Sequence, residues 1–252
     1  MGSNPPKLQT VTRISTLILA LLLCATAIHA QDLDKTLNKD SLLKVVLKNM
    51  PKEKKAIFLK EYNDANDQSK EFLLVMFSMP RSSKKELIKN IDSNYARIYH
   101  LKTEYAKLVP ANYEVDIEFN PEDKLLNMGK TVDISITHTV NGKRHTYQDW
   151  NLPHNSNKLN EMLKMIGWNE KTLEIISKLL TDAHCVSIAN GEPTLIGFAR
   201  SGMGKYFYKL FDKNLTTDQV KQYTNGCTDI FYKKNIILEY GGGAIGPQCF
   251  PD

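Results

Sequence analysis

The sequence predicts an α+β fold, in which an N-terminal helical segment precedes a mostly antiparallel sheet with inserted helices. Between residues 40 and 109, apolar side chains recur every three or four positions, as on one face of a helix. From residue 113 onward, several short segments instead alternate apolar and polar side chains, as half-buried strands do. Because helices come first and hairpin-connected strands follow, the pattern favours separate layers over a wound parallel sheet.

Residues 1–30 have the three parts of an export signal. Lys7 and Arg13 precede an apolar run at residues 17–23, and small residues lead to a cleavage position after Ala30. The apolar run is shorter than the about 20 residues that a transmembrane helix needs. We therefore expect the mature chain to begin after this position, to lack a stable transmembrane span, and to work in the periplasm or outside the cell.

The four cysteines bear on the compartment and on cross-linking. Cys24 offers the alternative of a lipoprotein, but the residues before it are leucines where small side chains are preferred. The other three are Cys185, Cys227 and Cys249, and an odd number in an oxidising compartment predicts one disulfide and one free thiol. Cys227 and Cys249 flank a predicted hairpin, so we expect them to pair and Cys185 to be buried and unpaired. The other two pairings stay open.

The predicted helical segment spans residues 31–110. Ser83 and Glu86 have the spacing of a capping box, and a long apolar stripe follows them. Prolines bound the predicted helices of this segment: Pro51, Pro80 and Pro110. The seam near residue 110 is the best domain boundary, with the alternative that residues 31–252 form one continuous domain.

The predicted α+β domain spans residues 111–252. Asn141-Gly142 is the strongest hairpin signal in the chain, because both residues tolerate a positive φ. The predicted strands cover residues 113–119, 132–140, 143–150, 186–189, 195–200 and 205–211, with a closing hairpin over 229–240. The inserted helices are predicted over 159–166, 173–180 and 216–225.

A histidine pair is the clearest local constellation. If Asn141-Gly142 is a two-residue turn, His138 lies opposite His145, with their Cβ atoms about 4.5–5.5 Å apart. The two imidazoles would share one sheet face and could bind zinc in a metal-assisted hydrolase, although catalytic zinc needs three protein ligands. Asp149 and His154 follow nearby in sequence. We expect no cofactor, and zinc at this pair is the alternative.

A second hydrolase hypothesis rests on Cys185. The preceding residue, His184, cannot activate this thiol within one strand, because neighbouring side chains point to opposite faces. A distant histidine would have to act instead. A structural cysteine is the favoured interpretation.

Aromatic side chains are concentrated in the last fifty residues. If the tail strands expose one of their faces, an aromatic row there would suit a sugar ring or a peptide. The candidate partner-binding residues are Tyr206, Tyr208, Tyr232 and Tyr240. The alternative, which the usual burial of aromatic residues favours, is that these rings belong to a core packed on both faces of the sheet.

Two acidic side chains, Asp116 and Glu118, share one face of a predicted strand. Paired carboxylates occur in glycosidases. Nothing in the sequence indicates burial of these two, so we interpret them as solubilising charges.

Charge and motif content favour a binding function. The formal net charge is +5, but arginines are few and no dense basic patch appears, so nucleic-acid binding is not expected. We expect an exported, non-enzymatic protein that binds a protein or carbohydrate partner in the cell envelope. A hydrolase that uses His138 and His145, or Cys185, is the alternative.

Overall fold

A computed structural model describes residues 38–50, 52–123, 128–241, 246 and 248–250. The predicted export signal, Cys24 and Pro51 lie outside the described residues. Among the described residues, the N-terminal part contains the helices α1 (Lys39–Asn49), α2 (Lys52–Asp64), α3 (Asp67–Ser78) and α4 (Lys84–Leu108). The later helices are α5 (Asn157–Met165), α6 (Glu170–Asp182) and α7 (Thr217–Tyr223).

The eight strands confirm the predicted α+β class, because they form one antiparallel sheet in the order β3-β2-β1-β4-β5-β6-β8-β7. The first three strands are β1 (Tyr113–Asn120), β2 (Thr131–Val140) and β3 (Lys143–Pro153). The other five are β4 (Ser187–Ala189), β5 (Thr194–Ser201), β6 (Gly204–Leu210), β7 (Asp229–Lys233) and β8 (Ile236–Gly241).

The main core lies between one face of this sheet and helices α4, α5 and α6. Val115 and Ile117 of β1 are buried in it, and so are Leu163 of α5 and Ile176 of α6. The acidic residues of β1 alternate with these apolar ones and therefore face the other side of the sheet. The alternation read from the sequence thus gives the sheet an apolar face and a polar face.

Helix α4 attaches to the apolar face along its whole length. Ser83 caps it by accepting a hydrogen bond from the backbone N–H of Glu86, at 3.2 Å. Its buried stripe consists of Leu87, Asn90, Ile91, Ile98, Leu101 and Tyr105. The helix is kinked at Asn94, whose φ of −120° and ψ of 20° are not helical. This kink shapes the cleft described below.

Helices α1, α2 and α3 form a separate hydrophobic cluster, here termed the helical cluster. Its buried side chains are Val46, Met50, Phe58 and Leu74. The predicted segment of residues 31–110 therefore contains two kinds of helix. Three build the helical cluster, whereas α4 belongs to the core of the sheet.

The structure joins Cys227 to Cys249 in a disulfide with a Cα–Cα distance of 4.4 Å. Cys185 is a buried free thiol. This is the pairing that the flanking hairpin favours. Among the described residues, no helix combines the length and the hydropathy that a bilayer crossing requires.

Candidate functional site

Two of the four candidate tyrosines are unavailable to a partner. Tyr206 and Tyr208 are fully buried, so their predicted place on an exposed surface is wrong. Both lie on the β6 face that packs against the helices, and Tyr208 donates a hydrogen bond to the Leu87 carbonyl of α4 at 2.7 Å. The alternative interpretation, an aromatic core, describes these two residues.

Tyr232 and Tyr240 lie in different surroundings. The hydroxyl of Tyr232 is 2.7 Å from both carboxylate oxygens of Asp92 on α4. The ring of Tyr240 packs against Tyr206 and Phe250, with centroid distances of 4.6 and 6.0 Å. The four tyrosines therefore do not form one exposed row that a partner could contact.

The histidine pair has the predicted register, with His138 opposite His145 across β2 and β3. Their ring centroids are 5.5 Å apart and the planes differ by 23°, which is a stacked arrangement. Tyr147 also stacks on His138, at 6.0 Å. His154 instead packs near Phe119, at 6.2 Å. Within the described residues, no three His, Cys, Asp or Glu side chains form a metal-binding group, and zinc here stays a hypothesis.

Cys185 lies in surroundings that do not favour a nucleophile. Burial raises the pKa of its thiol to about 12, and the Asn90 amide nitrogen lies 3.9 Å from its sulfur. Reactive cysteines instead have a lowered pKa and partial exposure. His184 is exposed and adopts a left-handed φ of 52°. The structure thus supports the interpretation of Cys185 as a structural residue.

Glu118 is not a solubilising surface charge, which corrects the interpretation from sequence. It is 7% exposed and accepts hydrogen bonds from Arg200 Nε at 2.8 Å and from Lys205 Nζ at 2.6 Å. Arg200 also approaches Asp133 on β2, at 3.3 Å. Because the cations come from β5 and β6, distant in sequence, spacing along β1 could not reveal this network.

A concave cleft lies between the first half of α4 and the sheet, and it is here termed the α4–sheet cleft. Its volume is about 660 Å³, within the range of small-molecule sites. Its apolar lining comes from strand ends and neighbouring loops: Pro80, Phe119, Pro121, Val186, Phe198 and Ala199. Its polar lining includes Arg81, Ser82, Glu86, Lys89, Ser93, Asn94 and His184.

The kink in α4 is fixed by two asparagines that line the cleft. Asn94 donates from its amide to the side-chain oxygen of Asn90, at 2.8 Å. Asn90 is buried, and its own amide nitrogen lies 3.3 Å from the carbonyls of Ala183 and His184. These contacts attach α4 to the loop after α6 close to the kink.

An irregularity in β5 shapes the floor of the cleft. The pairing of β5 with β6 shifts between Gly197 and Ala199, so Phe198 is the additional residue of a bulge. The ring of Phe198 lies 6.3 Å from that of Tyr208, on the side of the sheet that carries α4. Phe198 therefore lies on the same side of the sheet as the core residue Ile196, and its ring lines the cleft at the position of the bulge.

The loop between α3 and α4 closes one side of the cleft. The carbonyl of Pro80 accepts a hydrogen bond from the N–H of Gly202 at 2.8 Å. Ser82 is bonded through its backbone to the hydroxyl of Ser201, at 3.1 and 3.2 Å. Arg81 lies directly over Gly202, whose φ of 60° and lack of a Cβ allow this approach. The wall is thus held by the turn between β5 and β6.

Comparison with known proteins does not assign this site. The chain matches no protein-family model, no curated protein and no solved structure. The fold and the cleft therefore define the protein only as an α+β protein with a concave cleft beside α4. Sequence analysis missed this cleft, although Asn90 and Asn94 interrupt the apolar stripe of α4 four residues apart.

Proposed function

We propose that this is an exported ligand-binding protein, which holds a small molecule in the α4–sheet cleft without covalent chemistry. The observation that carries this proposal is the cleft itself, in which an apolar floor is open to solvent beneath a polar rim. Ligand sites combine these features, because the apolar walls supply affinity and a few polar groups supply orientation.

The proposed export is supported by two independent features. Residues 1–30 have the charged start, apolar run and small-residue exit of a leader. The Cys227–Cys249 disulfide suits an oxidising compartment, because thiols are kept reduced in the cytosol.

The lining of the cleft favours an apolar ligand over the carbohydrate considered from the sequence. Phe119, Phe198 and Val186 offer no hydrogen-bonding groups from their side chains. Sugar hydroxyls that were buried against them would lose their bonds to water without replacement. The hydrolase alternative is less favoured, since the Cys185 thiol is buried and protonated.

The proposal is tested with N-phenyl-1-naphthylamine, a neutral probe that fluoresces in apolar sites. The purified protein should bind it saturably. Ser93→Phe places a bulky ring at an exposed position of α4 that lines the cleft, and should weaken binding at least about tenfold. Ala106→Phe makes a similar change on an exposed part of the same helix outside the cleft, and should leave binding unchanged. Absence of saturable binding, or equal binding by Ser93→Phe, would refute the proposal.

A further inference from the structure

Resting on the proposed function, we infer that the ligand of the α4–sheet cleft is an amphipathic anion. It would have a drug-sized apolar body on the floor of the cleft and one acidic group beside Arg81 and Lys89. A carboxylate, sulfonate or phosphate monoester would each satisfy this description.

The apolar body of the proposed ligand is inferred from the apolar side chains on the floor of the cleft. Phe119 is the last residue but one of β1, Phe198 is the bulged residue of β5, and Val186 precedes β4. All three are only partly buried and line the cleft. Covering such apolar surface with an apolar body is favourable by about 25 cal/mol per Å².

The acidic group of the proposed ligand is inferred from the cations of this region and their salt-bridge partners. Three cations on the polar face of the sheet have acidic partners: Arg200 with Glu118, Lys205 with Glu118, and Lys209 with Asp229. At the cleft, Arg81 and Lys89 form no salt bridge with any residue that the structure describes. The rim therefore has two positive charges without acidic partners.

The acidic residue nearest in sequence, Glu86, is engaged elsewhere. One of its carboxylate oxygens lies 3.1 Å from the hydroxyls of both Ser82 and Ser83, at the beginning of α4. Glu118 is likewise paired with Arg200 and Lys205. Glu118 is thus paired with cations, whereas the Glu86 carboxylate keeps its negative charge, so among the described residues of the cleft two unpaired cations outnumber one unpaired acid.

The position of the rim adds to the preference for an anion. Arg81 precedes α4 and Lys89 lies in its second turn, so both are near the N-terminal end of this helix. The partial positive charge of a helix N-terminus favours negative groups. Both cations are exposed, so the attraction that each exerts on an anion is modest and is screened by salt.

The experiment compares two probes that differ in one sulfonate group: N-phenyl-1-naphthylamine and 8-anilinonaphthalene-1-sulfonate. Lys89→Gln should weaken binding of the sulfonated probe about threefold more than binding of the neutral probe, as expected for one exposed charge. Lys89→Arg should restore the affinity. Lys171→Gln, which removes an equal charge from an exposed position on α6, is the control. Added salt should weaken only the sulfonated probe.

The outcomes separate this inference from the function on which it rests. If neither probe binds saturably, the proposed function fails. A different result is that both probes bind and that Ser93→Phe blocks the binding of both. If Lys89→Gln and salt then change the affinities of the two probes equally, the cleft binds ligands without recognising an acidic group. The inference then fails while the proposed function stands.

Discussion

Lys205 Nζ lies 2.6 Å from a carboxylate oxygen of Glu118, and the two side chains are only 15% and 10% exposed. This ion pair joins β6 to β1 across β4 and β5, which lie between them in the sheet. It therefore links the two halves of the antiparallel sheet on its polar face.

Removing the charge of Glu118 should destabilise the protein. In Glu118→Gln, Lys205 and Arg200 lose their shared carboxylate while remaining partly desolvated. We expect the free energy of unfolding to fall by about 2–3 kcal/mol, near the lower limit for breaking a buried pair. Urea denaturation measures this change.

The same strand offers a matched control, because Glu114 pairs with Arg144 at 2.7 Å in an exposed setting. Glu114→Gln should change the free energy of unfolding by less than about 1 kcal/mol. Equal losses in the two variants would contradict the special role that burial gives to Glu118.

Gly197 should not tolerate even a methyl group. A Cβ at this position would lie 2.1 Å from the Ser187 hydroxyl oxygen and 3.2 Å from Cδ of Lys205. Gly197→Ala should therefore lower the free energy of unfolding by about 1–3 kcal/mol. Gly129→Ala is the control, since its Cβ would have no neighbour within 4 Å. Thermal denaturation measures the midpoints of both variants. Similar midpoints for Gly197→Ala and Gly129→Ala would contradict the predicted clash at Gly197.

Loss of the disulfide should destabilise the closing hairpin. Cys227 and Cys249 are 22 positions apart, and opening a loop of this size costs about 3 kcal/mol in the chain-entropy model. In the double variant Cys227→Ser/Cys249→Ser, the free energy of unfolding measured by urea denaturation should be lower by this amount. Reduced wild-type protein should behave like the variant, and a stability unaffected by reduction would show that the cross-link contributes nothing.

The buried thiol should resist alkylation in a pH-dependent way. With the pKa of Cys185 raised to about 12, its thiolate is scarce near pH 8 and increases about tenfold per pH unit until the pKa is reached. Iodoacetamide labelling of the native protein, followed by mass spectrometry, should be at least about a thousandfold slower than labelling in urea. Native labelling at the rate of the denatured chain would mean that Cys185 is accessible.

Much of the fold could be predicted because its signals are local. The period of apolar residues separated helices from strands, and Asn141-Gly142 set the register that places His138 opposite His145. Such patterns report which face of an element is buried, but not which distant element covers it. This is why Tyr206 and Glu118 were placed on the surface.

The cleft could not be predicted, because it depends on two departures from regular structure. The kink at Asn94 and the bulge at Phe198 each alter one element locally. The cleft forms only where α4 packs near β5, and this packing is determined by tertiary contacts. A single sequence gives no covariation between residues such as Asn90 and Ala183 that would reveal it.

The helical cluster has a consequence for any measurement of stability. Phe58 and Leu74 are buried among helices α1 to α3, whereas the core of the sheet is built from other residues. Heat or urea could therefore melt one unit while the other persists, and a two-state treatment would no longer hold. A fluorescence midpoint and a circular-dichroism midpoint that disagree would then report two cooperative units rather than experimental error.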